Sequence, residues 1–85
     1  MESNIRLKRI LFRAAHRGTK ESDLILGPYA SAHAPSMPET ALIEFEAFLE
    51  EGDNDIWDWI SGSSAPENGQ YTLLIEELRK VNEAP

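Results

Sequence analysis

Apolar residues recur at three- and four-residue spacings along most of the chain, and nowhere do they alternate with polar ones as a half-buried strand requires. In the first periodic segment, residues 4–18, Leu7, Ile10, Leu11, Ala14 and Ala15 fall on one helical face. Ser3 or Asn4 can cap its start, and Gly18 supplies a left-handed exit. A second helix from Lys20 to about His33 carries Leu24, Ile25, Leu26, Tyr29 and Ala30, with Glu21 and Asp23 near its positive N-terminal end. The pair Gly27-Pro28 predicts a kink or a break there, because a proline inside a helix removes one hydrogen bond and crowds the carbonyl four residues back.

Ser36-Met37-Pro38-Glu39 reads as a capping box with proline in the first turn. The helix it opens runs to about Glu50, with Ala41, Leu42, Phe45, Phe48 and Leu49 inward and Glu44, Glu46 and Glu50 outward. Asp53, Asn54 or Asp55 can cap a short helix holding Ile56, Trp57, Trp59 and Ile60, which Gly62 closes. Residues 61–70 form a loop by composition. The last helix, Tyr71 to about Val81, packs through Leu74, Ile75, Leu78 and Val81, and the terminal residues 82–85 are expected to fray.

These segments predict an all-α single domain of four or five helices with short connections, ordered from about residue 4 to 81. The expected core is Leu7, Ile10, Leu11, Leu24, Ile25, Leu42, Phe45, Leu49, Trp59, Leu74 and Leu78. Eighty-five residues without a cysteine allow one small core held by packing alone, with no disulfide and no thiolate-bound metal. No segment approaches the roughly eighteen apolar residues of a membrane span. The Arg-rich start lacks a signal peptide's apolar run, and it reads as part of the fold of a bacterial cytoplasmic protein. A mitochondrial transit segment is the rival reading of that start, since it is amphipathic and poor in acids.

Charge changes the picture once it is divided by position. The formal net charge is −7, yet residues 1–20 hold six of the eight basic side chains against the single acid Glu2. The remainder holds Arg79 and Lys80 against fourteen acids. Within the basic part Arg6, Arg9, Arg13 and Arg17 follow one another by three, four and four, which makes a stripe along one helix. Such a stripe could track phosphates, but the acidic remainder would repel them unless it faced well away. The plainer expectation is that the basic helix lies beside acidic helices of its own bundle, and a protein partner is favoured over nucleic acid.

Little in the chain resembles catalytic machinery. His16 and His33 belong to no metal-binding spacing, and the acidic run 50–55 lacks the length and terminal glutamate of a calcium loop. There is no nucleophile elbow and no phosphate loop. An acid–base pair of Glu21 and His16 is the one enzymatic arrangement left, and it would need a pocket holding both. The junction Arg17-Gly18-Thr19-Lys20-Glu21 reads from its residues alone as structural: a glycine exit, with Arg17 and Glu21 complementing the adjoining helix ends. A functional reading stands beside it, since a glycine between a fixed cation and a carboxylate suits docking against a partner's polar pocket.

The stretch from Arg6 to Ala30 contains R-x-L-x-R-x-L-x-x-R-x-x-x-R-G followed by T-K-E-S-D-L-I-L-G. It resembles the succinate dehydrogenase assembly factor family, the flavinylation factors of bacteria and mitochondria, whose RGxxE hallmark falls on Arg17, Gly18 and Glu21. A second block, E-F-E-A-F-L-E at 44–50 and D-N-D-I-W-D-W-I-S-G at 53–62, is similar to the family's acid-rich third helix and aromatic fourth helix. The likeness covers most of residues 6–62 and little of the chain from Ser63 onward. Pro28 and Ser22 depart from the family pattern.

The resemblance implies a five-helix bundle that binds the flavoprotein subunit of succinate dehydrogenase, or of fumarate reductase, and promotes covalent attachment of FAD to a histidine of that subunit. It implies a non-enzymatic assembly factor that holds no cofactor stably itself, the FAD belonging to the partner. Arg17, Gly18 and Glu21 would lie at the contact, with Arg13, His16 and Asp23 secondary. The expected protein is a monomer when free, with no nucleic-acid partner and no membrane insertion. The competing reading is a small antitoxin-like or regulatory module acting through the basic first helix.

Overall fold

The computed structural model describes residues 2–18, 20–67 and 69–83. They form five α-helices: α1 (Glu2–Ala15), α2 (Lys20–His33), α3 (Glu39–Leu49), α4 (Asp53–Ser61) and α5 (Thr72–Glu83), with a 3-10 turn at Ala34–Ser36. Helix α1 packs on α2 and α3, α2 also meets α4 and α5, and α4 packs on α5. This is the five-helix, all-α bundle expected.

The core lies where these faces converge, with Ile10, Leu26, Ala30, Phe45, Phe48, Ile56 and Leu78 fully buried. Phe48 and Trp59 adjoin at 6.0 Å, and Tyr29 meets Phe45 edge to face at 5.8 Å. Leu7 and Leu11 are only half-buried against this core. Leu24 departs from expectation: it points outward at 65% exposure, and Leu26 and Tyr29 take the inward positions of α2. Val81 likewise stays exposed at the end of α5. Ala15, expected on the inner face of α1, is exposed as well.

Helix α2 runs through Gly27-Pro28 without a break. Two features make that tolerable. A Cβ on Gly27 would stand 3.4 Å from the Ala15 Cα, so the glycine lets α1 and α2 approach closely. Pro28 lies on the exposed side, and the Leu24 carbonyl that loses its donor belongs to an exposed residue that water can reach.

Most helix ends shift by one to three residues from the expected caps. Ser3 and Asn4 lie within the first turn of α1, which already begins at Glu2. The capping box does not form. Met37 donates its amide to the Ala34 carbonyl at 3.1 Å, closing the 3-10 turn over buried Ala34, and α3 starts at Glu39 with Pro38 as its uncapped lead-in. Asp53, expected as a cap, is the first residue of α4 behind Gly52, because its carboxylate is engaged elsewhere. Gly62, at φ +90°, closes α4 as expected.

The connection to α5 is tied down by Tyr71. This residue holds a positive φ of 59°, a conformation costly for a non-glycine, while its ring packs against Phe48 at 5.3 Å and its hydroxyl donates to Glu51 at 3.0 Å. Asn82 and Glu83, expected to fray, continue α5; residues 84–85 lie outside the described residues.

Candidate functional site

Helix α1 ends at Ala15, and His16, Arg17 and Gly18 carry the chain toward Lys20, where α2 begins. His16 is exposed, stacked on the Phe12 ring at 4.2 Å, and its Nδ1 donates to the Phe12 carbonyl at 2.7 Å. A carbonyl can only accept, so the proton sits on Nδ1 and one orphan acceptor of the helix end is satisfied. Gly18 lies three residues beyond the helix at φ +102°, with no atom within 4 Å of the position a Cβ would take. The glycine thus makes the expected left-handed turn, later than a cap directly at the helix end.

Arg17 turns inward. Its Nε donates to Asp53 Oδ1 at 3.0 Å and its Nη2 lies 2.8 Å from the same oxygen. Nη2 also donates to the Glu51 carbonyl at 2.8 Å, and Nη1 donates to the Leu49 carbonyl. The Leu49 carbonyl ends α3, where the helix dipole leaves negative partial charge, the Glu51 carbonyl lies in the connection that follows, and Asp53 opens α4. The planar guanidinium therefore joins two helix termini and a carboxylate in one clasp. Arg17's own amide donates to Asp23 Oδ1 at 2.7 Å, which holds the chain against the first turn of α2.

The rest of the basic stripe follows the same pattern. Arg6 pairs with Glu46 at 2.6 Å, Arg9 reaches the other oxygen of Glu46 at 3.5 Å, and Arg13 pairs with Glu50 at 2.6 Å. Their mutual hydrogen bond holds the Arg13 guanidinium above its ordinary pKa and the Glu50 carboxyl below the usual carboxylate range. The expected packing of the basic helix on its own acids is what the bundle shows. All four arginines meet carboxylates of α3, of Glu50 just beyond it or of α4, which leaves little of the stripe to track phosphates.

Glu21 differs from these neighbours. It is exposed at the start of α2 and makes no hydrogen bond or ion pair among the described residues. Leu24 and Pro28 follow it on the same exposed face of α2, and on the adjoining helix Phe12 stands 64% exposed beside His16. Gly18 and Glu21 are thus both exposed at this junction, while Phe12 and Leu24 are large apolar side chains exposed on the two helices that it joins.

The six residues singled out from sequence all come together at this end of the α1–α2 pair, in two groups. Gly18, Glu21 and His16 face outward, whereas Arg17 and Asp23 are tied into the fold and Arg13 is paired at the surface. Sequence reasoning missed Asp53, Phe12 and Leu24. Asp53 had a readable signal, because Glu46, Glu50 and Asp53 repeat at nearly the spacing of Arg9, Arg13 and Arg17.

Among the described residues, two cavities lie elsewhere. One of about 370 Å³ is bounded by Tyr29, Met37, Phe45, Leu74 and Glu77, and one of about 100 Å³ by Pro66, Ile75 and Arg79. Neither contains His16 or Glu21, so neither supplies the pocket that an acid–base pair of those residues needs. Among the described residues no group of three or more His, Cys, Asp or Glu is arranged to hold a metal ion, and no helix is long and apolar enough to cross a membrane.

Comparison with known proteins places this bundle. The family model described as flavinator of succinate dehydrogenase matches residues 8–82, a span that takes in nearly all of α5 as well as most of the region already recognisable from motifs. The FAD assembly factor SdhE of Acetobacter pasteurianus is 40% identical over 73 residues, covering 86% of this chain and 67% of that protein. The mitochondrial succinate dehydrogenase assembly factor 2 of Candida glabrata is 32% identical over 79 residues, covering 88% of this chain and 52% of that protein. Its counterpart in Schizosaccharomyces pombe is 35% identical over 75 residues, covering 87% and 54%. The chain thus spans about two thirds of the bacterial relative and about half of these mitochondrial ones. No solved structure matches. With nearly the whole helical bundle inside the matched span, the chain belongs to the succinate dehydrogenase assembly factor family, the flavinators of succinate dehydrogenase.

Proposed function

We propose that this protein binds the flavoprotein subunit of succinate dehydrogenase, or of fumarate reductase, and promotes covalent FAD attachment to it, with the α1–α2 junction as the docking point. The observation that carries this reading is the contrast at the junction. In a bundle whose basic stripe is matched by its own acids, Glu21 stands exposed and unpaired among the described residues, next to an open, positive-φ Gly18. The relatives' names, FAD assembly factor and succinate dehydrogenase assembly factor, support the same partner.

Such a protein acts by selection. A client subunit with several domain arrangements is shifted toward the one the bundle binds best, by as much as the difference in affinity and no more. Bond formation then belongs to the flavin and the client's own histidine, and the assembly factor needs neither a catalytic group nor a cofactor. Gly18 admits a client backbone to close range, Glu21 offers a carboxylate to a client donor, and Phe12 and Leu24 bury apolar surface around them. The proposed setting is the bacterial cytoplasm, with the free protein a monomer.

The test is co-expression of the flavoprotein subunit with and without this protein, followed by in-gel flavin fluorescence. Covalent flavin should rise with the wild-type protein and fall back with Glu21→Ala. Covalent flavin that is independent of this protein would refute the reading.

A further inference from the structure

From the clasp around Arg17 we infer that Arg17 and Asp53 are paired positioning residues: they brace the junction from within the bundle so that Gly18 and Glu21 are presented to the client, and Arg17 is not itself a client contact. The inference rests on the proposed docking function and assigns a part in it to Asp53, a residue of α4 thirty-six positions away in sequence.

The geometry leaves Arg17 little to offer a partner. Its side chain is 11% exposed, and its Nε, Nη1 and Nη2 all donate within the chain. Recruiting it to a client would first break a charge-assisted clasp and strand the carbonyls of Leu49 and Glu51 together with the Asp53 carboxylate. The same clasp fixes the residue preceding Gly18. With the Arg17 side chain locked to the α3–α4 turn and its amide locked to Asp23, the chain direction at Gly18 is set from both sides. A docking loop held this way loses less conformational freedom on binding than a loose one. Release of the brace should therefore weaken client binding even though no client contact has been removed.

The experiment is a double-mutant cycle on the full chain, read as affinity for the purified flavoprotein subunit and as amide resonances of the 15N-labelled free protein. Arg17→Ala and Asp53→Ala each remove one side of the brace. Glu46→Gln removes the α1–α3 ion pairs of Arg6 and Arg9, away from the junction, and controls for general loss of stability. Expected is about a tenfold loss of affinity for Asp53→Ala, the size of one charge-assisted bond. Arg17→Ala should lose at least as much, and the double variant should bind no worse than Arg17→Ala alone. The Gly18 and Glu21 amide resonances should move in Asp53→Ala and stay in place in Glu46→Gln.

Wild-type or tighter binding by Asp53→Ala would overturn the inference, since freeing a client-contacting arginine could only help. Additive losses in the double variant, or an equal loss in Glu46→Gln, would overturn it too. Failure of the wild-type protein to bind the subunit would remove the functional reading itself. The resonances then decide the brace alone: movement confined to Asp53→Ala upholds it, and no movement refutes it.

Discussion

Arg17 Nη2 stands 2.8 Å from Asp53 Oδ1, and the same guanidinium bonds the Leu49 carbonyl at the end of α3 and the Glu51 carbonyl just beyond it, so the chain leaving α1 is clasped to α3 and to the first turn of α4. Three helices depend on one guanidinium at this point. Arg17→Ala should therefore destabilise the bundle by about 2–3 kcal/mol, because it leaves carbonyls and a carboxylate unpaired in a half-buried setting. Arg17→Lys should retain only part of that stability, since an ammonium is a point charge that cannot span all the acceptors. Asp53→Ala should cost less, about 1 kcal/mol, as the carbonyl bonds survive. Urea unfolding at neutral pH checks the order Arg17→Ala, then Arg17→Lys, then Asp53→Ala; equal losses for all three would mean that the carbonyl bonds contribute nothing.

Gly18 separates fold from docking more cleanly. Its φ of +102° costs any side-chain-bearing residue about 1–2 kcal/mol, but no atom lies within 4 Å of the position a Cβ would take. Gly18→Arg should thus keep the helical circular dichroism spectrum with a modest drop in unfolding midpoint. Client binding should disappear, because a long cationic side chain would project where a partner backbone must approach. Calorimetric titration with the flavoprotein subunit measures this directly, and wild-type affinity in Gly18→Arg would show that the junction is not the docking point.

How much of this could be read from the chain depends on whether the deciding interaction is local. The five helices were legible because each carries its own 3.6-residue apolar face, and the Arg6–Arg17 stripe was legible for the same reason. The helix starts were less so. Ser36 has the composition of a cap, yet the buried Ala34 draws the chain into a 3-10 turn and delays α3 to Glu39. Asp53 looks like a cap and is instead spent on Arg17, a competition visible only in three dimensions. Leu24 and Leu26 are chemically interchangeable in the sequence; which one faces inward follows from the close approach of Gly27 to Ala15. The junction's residues were all identifiable, but their division into outward and inward members was not, because it depends on α3 and α4 lying beneath it.

Ser22 gives a test in the opposite direction. Its hydroxyl is buried, with the residue 1% exposed and Oγ without a hydrogen-bond partner among the described residues. A desolvated, unpaired hydroxyl is a cost, and alanine is also the better helix former. Ser22→Ala should stabilise the bundle by about 1 kcal/mol, raising the thermal midpoint by about 4–8 °C for a domain of this size. A lowered midpoint would show that the hydroxyl is bonded in solution.

Alkaline pH tests the aromatic side of the core. Burial, and then the hydrogen bond to Glu77, pushes the Tyr29 hydroxyl well above its ordinary pKa; burial and the bond to Glu51 do the same to Tyr71. In the unfolded chain both ionise near about pH 10, whereas the folded protein keeps the protons. The folded state then binds more protons than the unfolded one, so stability falls as pH rises. Their contribution is complete below about pH 10 and is lost above it, at no more than about 1.4 kcal/mol per pH unit for each tyrosine. Urea midpoints should hold level up to about pH 9.5 and then decline. The variant carrying Tyr29→Phe and Tyr71→Phe should start lower, through two lost hydrogen bonds, and show a shallower decline. An equally steep fall without these hydroxyls would assign the alkaline transition to other groups.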